Sequence, residues 1–290
     1  MRNPSQSESP DPTLPAVDYL LIGHLSEDRT PDGITLGGTV CYSGLTAHAL
    51  GHSVGLITAA SERVDLGPLD DLTLVVKPSP ESTSFENIYT PEGRVQTILS
   101  QAVSLVREDI PPEWMNARLV HIAPLIGEFS SDILDSFQSS FIGLTPQGLM
   151  REWDSTGRVS AIPWQAASEF IRAADAVVVS IEDLNMDEEA AAAMATQCPV
   201  MVLTEGPGGV RVWAKGEMKS MPAPPAHELD ATGAGDIFAP IFFSRFHASG
   251  DPWIAAETGI RLATASVTRS GLSSTPTPDE VRDALGREGS

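Results

Sequence analysis

Short, largely apolar runs recur along this chain, at 17–22, 54–58, 119–123, 141–144, 176–180 and 200–204, and they limit what it can fold into. Each is too short for a helix, is rich in Val, Leu and Ile, and stops at Gly, Pro or a polar residue. A strand with no polar face is buried on both sides, as happens in a parallel sheet covered by helices. Between the first two runs, the small residues from Thr39 to Leu50 read as a helix that ends at Gly51, a suitable C-cap. Strands alternating with helices over most of the chain predict a doubly wound α/β sheet. A length of 290 residues suits one large domain, or one domain with a small appendage. The hydrophobic share of 41% and mean hydropathy of -0.03 fit an ordinary soluble chain with a sizeable core.

Some stretches depart from that rhythm. Residues 83–89 and 94–99 alternate in character around Thr90-Pro91-Glu92-Gly93, which predicts a two-stranded ribbon with one wet face. Residues 61–82 are polar and Pro-rich except at 72–76, a further candidate strand. Residues 1–15 lack the apolar core of a signal peptide and read as a disordered lead-in, so the folded domain is expected over 16–286. No apolar run approaches the length of a membrane span.

Charge narrows the partners. With 18 Lys+Arg against 39 Asp+Glu, the net charge of -21 repels nucleic acid and anionic membrane, so neither is expected as a partner. An anionic nucleotide must then be drawn in by local amides and a divalent cation. Cys41 and Cys198 are the two cysteines, with no metal-ligand spacing, which fits a reduced, cytoplasmic protein.

The chemistry concentrates at Asp230-Ala231-Thr232-Gly233-Ala234-Gly235-Asp236, which runs straight into apolar Ile237-Phe238-Ala239. With so little side chain, the 233–235 backbone can turn tightly and aim its amides outward. A helix starting near Asp236 makes those amides and the positive helix end a site for an anion such as phosphate. A carboxylate at the mouth of that site can take the proton from an attacking hydroxyl. Anion hole and base together are what phosphoryl transfer to an alcohol requires. A Gly-rich turn with a helix-capping aspartate is the plainer alternative.

The seven-residue stretch resembles the C-terminal signature of the pfkB-type carbohydrate kinases, the ribokinase-like family, and further similarity runs over roughly residues 18–282. The resemblance implies a ribokinase-like doubly wound sheet sandwiched by helices, with a small β lid from 26–37 and 83–100. It implies an ATP-dependent kinase acting on a hydroxyl of a sugar, a polyol such as inositol, or a nucleoside. Asp236 is then the catalytic base, and the amides of Gly233, Ala234 and Gly235 form the anion hole. Asp28, Gly37 and Gly38 match the family's acceptor-binding positions, but Tyr42 stands where Asn is usual. Tyr42 therefore either reshapes the acceptor pocket or packs as an ordinary core aromatic.

Gln147, with Thr145 and Arg151, lies just past a strand, where open α/β sheets bind ligands. It reads as an acceptor-site residue or as part of a plain loop. Ser180 to Asp183 keeps the spacing of the family's magnesium-positioning segment with weaker groups at both ends. Asp183 and Glu182 either hold Mg2+ through water or simply open a helix. Thr204, Gly206 and Gly209 resemble the nucleotide-lining loop, and also suit a hairpin turn. Gly259 and Ala263 resemble the helix beside the adenine, and also suit close helix packing. The resemblance further implies a monovalent cation, K+, near Asp230 and Thr232, and a homodimer through the lid is the expected assembly. The rival from the same fold is a non-catalytic ribokinase-like sensor or scaffold. A dinucleotide oxidoreductase ranks last, because no GxGxxG follows the first strand.

Overall fold

The computed structural model describes residues 14–30, 33–90 and 93–286. Residues 1–13 of the expected lead-in, and Pro91 and Glu92 of the expected turn, lie outside them. In chain order, β1 (Tyr19–Ile22) leads to β2 (Ser26–Thr30), β3 (Gly33–Gly37), α1 (Thr39–Ala49), β4 (Val54–Ala60) and β5 (Thr73–Pro78). Then come β6 (Thr83–Thr90), β7 (Gly93–Ser100), β8 (Leu119–Ile122), β9 (Phe141–Leu144), and a small antiparallel pair, β10 (Arg151–Trp153) and β11 (Val159–Ala161). The remainder is α2 (Ser168–Ala173), β12 (Ala176–Ser180), α3 (Glu188–Ala195), β13 (Val200–Thr204), β14 (Val210–Ala214), β15 (Glu217–Met221), α4 (Ala234–Ser249), α5 (Pro252–Ser266) and α6 (Pro278–Gly286).

The apolar runs form the centre of one sheet, in the order β15-β14-β13-β12-β9-β8-β1-β4-β5. From β13 to β5 neighbouring strands are parallel, and β14 and β15 are added antiparallel. The chain builds outward from β1 to β5, then returns to lay β8, β9, β12 and β13 on the other side of β1. Such a reversal opens a crevice beyond the carboxyl ends of the strands. Alternate residues of each strand feed two cores. Leu20 and Ile22 join Trp114, Ile171 and Met194 on one face, while Tyr19 and Leu21 join Val40, Phe238 and Phe242 on the other. Helices therefore cover both faces, as continuous apolar strands require.

A second sheet of four strands, in the order β3-β2-β6-β7, stands off the first. His24, fully buried just before β2, braces its base. The ring Nδ1 lies 2.9 Å from Thr83 Oγ1 at the start of β6, and Nε2 lies 3.0 Å from the Val103 carbonyl just past β7. The His24 backbone N–H donates to buried Glu128 at 2.7 Å. Glu128 also accepts from the Leu125 and Ile126 amides, at 2.9 Å each, which satisfies a carboxylate that burial would otherwise penalise.

In the centre of the large sheet, fully buried His121 sits between Tyr19 Oη (3.2 Å to Nδ1) and Thr145 Oγ1 (3.1 Å to Nε2). Burial pushes its pKa down to about 3, so the imidazole is neutral. Two hairpins fall outside the sequence expectations: β10–β11 and β14–β15. Among the described residues, no helix is long and apolar enough to cross a membrane.

Candidate active site at the start of α4

Helix α4 begins at Ala234, two residues before the start expected near Asp236, so Asp236 sits in the first turn rather than capping it. The cap is Gly233, at φ 80, a left-handed conformation that glycine adopts without the penalty of a Cβ. Size matters there too. A Cβ on Gly233 would sit 2.5 Å from Tyr42 Cδ1, so the tyrosine ring lies flush against the entry to the helix. Gly235 differs: its φ is not left-handed, and a Cβ there would meet nothing within 4 Å.

The first turn of a helix leaves amides without intrahelical partners. Of the three donors expected from the sequence, the Ala234 N–H turns back to the Ala231 carbonyl at 3.1 Å. The exposed Gly235 is the one beside open space. Upstream, Asp230 Oδ1 accepts the Thr232 amide at 2.9 Å, and the Asp230 N–H donates to the Val267 carbonyl at 3.1 Å. These bonds hold the loop that enters α4.

Tyr42 is 5% exposed and packs with Ile237, Ile241 and Leu262, which makes it a core aromatic. It also faces the acidic residues. Burial, then the charges of Asp236, Asp230 and Asp28, raise its hydroxyl well above the usual phenol range. Burial with Asp28 and Asp236 does the same to the neighbouring Cys41 thiol. Carboxylates from β2, from the loop before α4 and from α4 itself thus converge around the start of α1.

Glycines on β3 and α1 make that convergence possible. A Cβ on Gly37 would fall 2.7 Å from Asp28 Oδ2, and one on Gly38, at φ 89, would fall 3.0 Å from the Ser26 amide nitrogen. Asp28 of β2 can therefore lean over β3 toward α1. Sequence reasoning missed Ser43, next to Tyr42. It is fully buried, and its Oγ donates to the backbone carbonyl of Asp236 at 2.7 Å.

A second group gathers past the ends of β9 and β12. Gln147 Nε2 donates to Asp183 Oδ1 at 2.9 Å, Arg151 approaches the same oxygen at 3.9 Å, and the Ser180 amide donates to Oδ2 at 3.3 Å. Gln147 is therefore held by Asp183. Glu182 is exposed. No cluster of three or more possible ligands for a metal ion occurs among the described residues. The carboxylates of Asp183 and Glu182 offer oxygen donors, the type a magnesium ion accepts, and magnesium bound mainly by phosphates needs only one or two of them.

Thr204, Gly206 and Gly209 lie along the hairpin joining β13 to β14. Gly209, at φ 95, must lack a side chain because a Cβ would sit 2.1 Å from the Met221 carbonyl oxygen. Arg211 pins this turn to α3 through Glu205 at 2.9 Å and Glu188. Gly259 lies on α5, where it meets the second of its two readings, close helix packing. It is buried, and a Cβ would meet Phe238 at 2.7 Å, so its smallness serves the packing of α5 on α4. Half-buried Ala263 packs beside the same core. Clefts of about 450 Å³ beside Ile98 and Trp153, and of about 400 Å³ beside Ser79 and Val103, are lined by none of the candidate site residues.

Residues 160–280 match the family described as pfkB family carbohydrate kinase. A cytidine kinase of Thermococcus kodakarensis is 25% identical over 262 aligned residues, covering 79% of this chain and 88% of that protein. A pyrophosphate-dependent kinase in the ribokinase family, solved with a pyrophosphate analog and myo-inositol, superposes with a TM-score of 0.77 at 20% identity, covering 91% of this chain and 99% of the other. An Escherichia coli protein described as a putative ribokinase II, solved with ATP and Mg2+, gives a TM-score of 0.69 at 16% identity, covering 93% and 99%. With its mixed sheet sandwiched by helices, the chain has the ribokinase-like fold of these structures, and its residues 160–280, which include the glycine-rich entry to α4, are similar to the pfkB family of carbohydrate kinases.

Proposed function

We propose that this protein is an ATP-dependent kinase that phosphorylates a hydroxyl of a small sugar, polyol or nucleoside, with Asp236 as its base. One observation carries the reading. At the start of α4 a left-handed Gly233 is wedged against Tyr42, an exposed Gly235 faces open space, and Asp236 stands in the same helical turn. An acceptor held between Asp28, Gly37-Gly38 and Tyr42 presents its hydroxyl to Asp236. The hydroxyl oxygen attacks the γ-phosphorus while its proton passes to the Asp236 carboxylate. As the new O–P bond forms, the bond from the γ-phosphorus to the bridging oxygen breaks, and ADP leaves. The Gly235 amide and the positive end of α4 stabilise the charge on the transferred phosphoryl group.

Asp183 and Glu182 are the carboxylates that would hold magnesium through water. When bound, the ion neutralises charge on the donor phosphates. Thr204, Gly206 and Gly209 line the side from which the nucleotide approaches. Residues 16–286 act as one kinase domain, and the small sheet serves as the cover of the acceptor site.

Support comes from the family match and from a curated relative that acts on a nucleoside. The test is ADP release across a panel of sugars, polyols, inositols and nucleosides. An accepted alcohol should lose roughly a hundred- to ten-thousand-fold in turnover with Asp236→Asn, while nucleotide affinity changes little. A folded Asp236→Asn variant with near-normal turnover refutes the assignment. No turnover with any acceptor would favour a non-catalytic sensor instead.

A further inference from the structure

Helix α4 carries Pro240 in its interior, fully within the apolar core. Proline has no N–H, and its ring crowds the carbonyl four residues back. In α4 that carbonyl belongs to Asp236. The amide of residue 240 is therefore not available as the helical donor to the carbonyl of the residue proposed as the base. Ser43, on α1, supplies the missing donor: its Oγ reaches the Asp236 carbonyl at 2.7 Å, and it is fully buried. A serine in the middle of a helix often bonds back to its own preceding turn, but this one bonds across to another helix.

We propose that Ser43 is a positioning residue for Asp236, paired with Pro240 and acting through the carbonyl that Pro240 strands. The pairing has a geometric result. An ordinary helix bond would fix Asp236 relative to α4 alone, whereas the Ser43 bond fixes it relative to α1. The same helix is capped by Gly38 and presents Tyr42, so the base is referenced to the helix that borders the proposed acceptor site. The inference rests on the kinase reading above.

The test is a double-mutant cycle on the full chain, with an alcohol that the wild type phosphorylates and Asp236→Asn does not. That pair of controls carries the kinase reading by itself, so its failure is seen before Ser43 is tested. Ser43→Ala should lower kcat by about tenfold to a hundredfold, the scale of a small misplacement, with the KM values of donor and acceptor within about twofold. Adding Pro240→Ala to Ser43→Ala should restore most of kcat, because residue 240 then donates its own N–H to the Asp236 carbonyl.

In the Pro240→Ala background, removing Ser43 should cost no more than about twofold. This comparison keeps the test open if Ser43→Ala alone folds poorly. Melting temperatures of the same four proteins should be non-additive, a linkage that can be read whatever the acceptor proves to be. A Ser43→Ala kcat within about twofold of wild type, a loss that Pro240→Ala leaves in place, or strictly additive melting temperatures each overturns the proposal.

Discussion

His121 offers a quantitative test of the core that needs no substrate. Its ring is fully buried in the central sheet between the Tyr19 and Thr145 hydroxyls, and burial lowers its pKa to about 3. In the unfolded chain a histidine titrates near 6.5. Below that value the unfolded state binds a proton that the folded state refuses, so stability falls as the pH falls. The contribution is complete above about pH 6.5 and is lost progressively down to about 3. Between pH 7 and pH 5, the linkage relation gives a loss of about 2 kcal/mol from this one group.

His24, also buried with a lowered pKa, titrates in the same direction, so the wild-type slope alone does not isolate His121. The difference between wild type and His121→Gln does. Urea unfolding at both pH values should show the variant less stable at pH 7, with its deficit shrinking by about 2 kcal/mol at pH 5. A deficit of the same size at the two pH values would mean that the folded protein accepts a proton at this site, and the burial argument would fail.

The two glycines at the entry to α4 should fail in different ways. Gly233→Ala puts a Cβ into a left-handed backbone and against the Tyr42 ring, so calorimetry should show a loss of roughly 1–2 kcal/mol from the backbone alone, plus the cost of the clash. At Gly235 a Cβ meets nothing within 4 Å, so Gly235→Val should melt close to wild type, yet lose phosphoryl transfer because its branches fill the proposed place of the phosphate; retained activity would put the phosphate elsewhere. Asp28→Ala should raise the acceptor KM by about tenfold or more with little change in the nucleotide KM, and deoxy analogues lacking the contacted hydroxyl should show a smaller penalty.

The central strands were legible because their burial on both faces writes itself into sequence as short, largely apolar runs. Hairpin β14–β15 carried an equally clear signal that went unread: Val210, Val212 and Ala214 alternate inward, and Lys215-Gly216 turns at φ 55 and 77. Tyr42 shows the opposite limit. Its spacing within α1 marked it as important, but the partner that fixes its ring, Gly233, lies far along the chain. Ser43 was invisible for a related reason. A hydroxyl that completes a backbone carbonyl has no pattern of its own, and only the proline hinted that a carbonyl would need completing. At Gly259 the motif and the packing of α5 against Phe238 ask for the same small residue, so sequence could not separate them.

The brace at His24 also has a mechanical meaning. β2 starts, β3 ends, β6 starts and β7 ends on the side where His24, Thr83 and Val103 are tied together, which makes that line a fulcrum. β6 is 8 residues long, so its far end reaches about 26 Å from the pivot at 3.3 Å per residue. A rocking of about 10° at the base would sweep that end through about 4–5 Å, while Asp28, midway along β2, would travel much less. A small sheet hinged on that line would be geared like a lever, with large strokes at its tips and fine adjustment at Asp28.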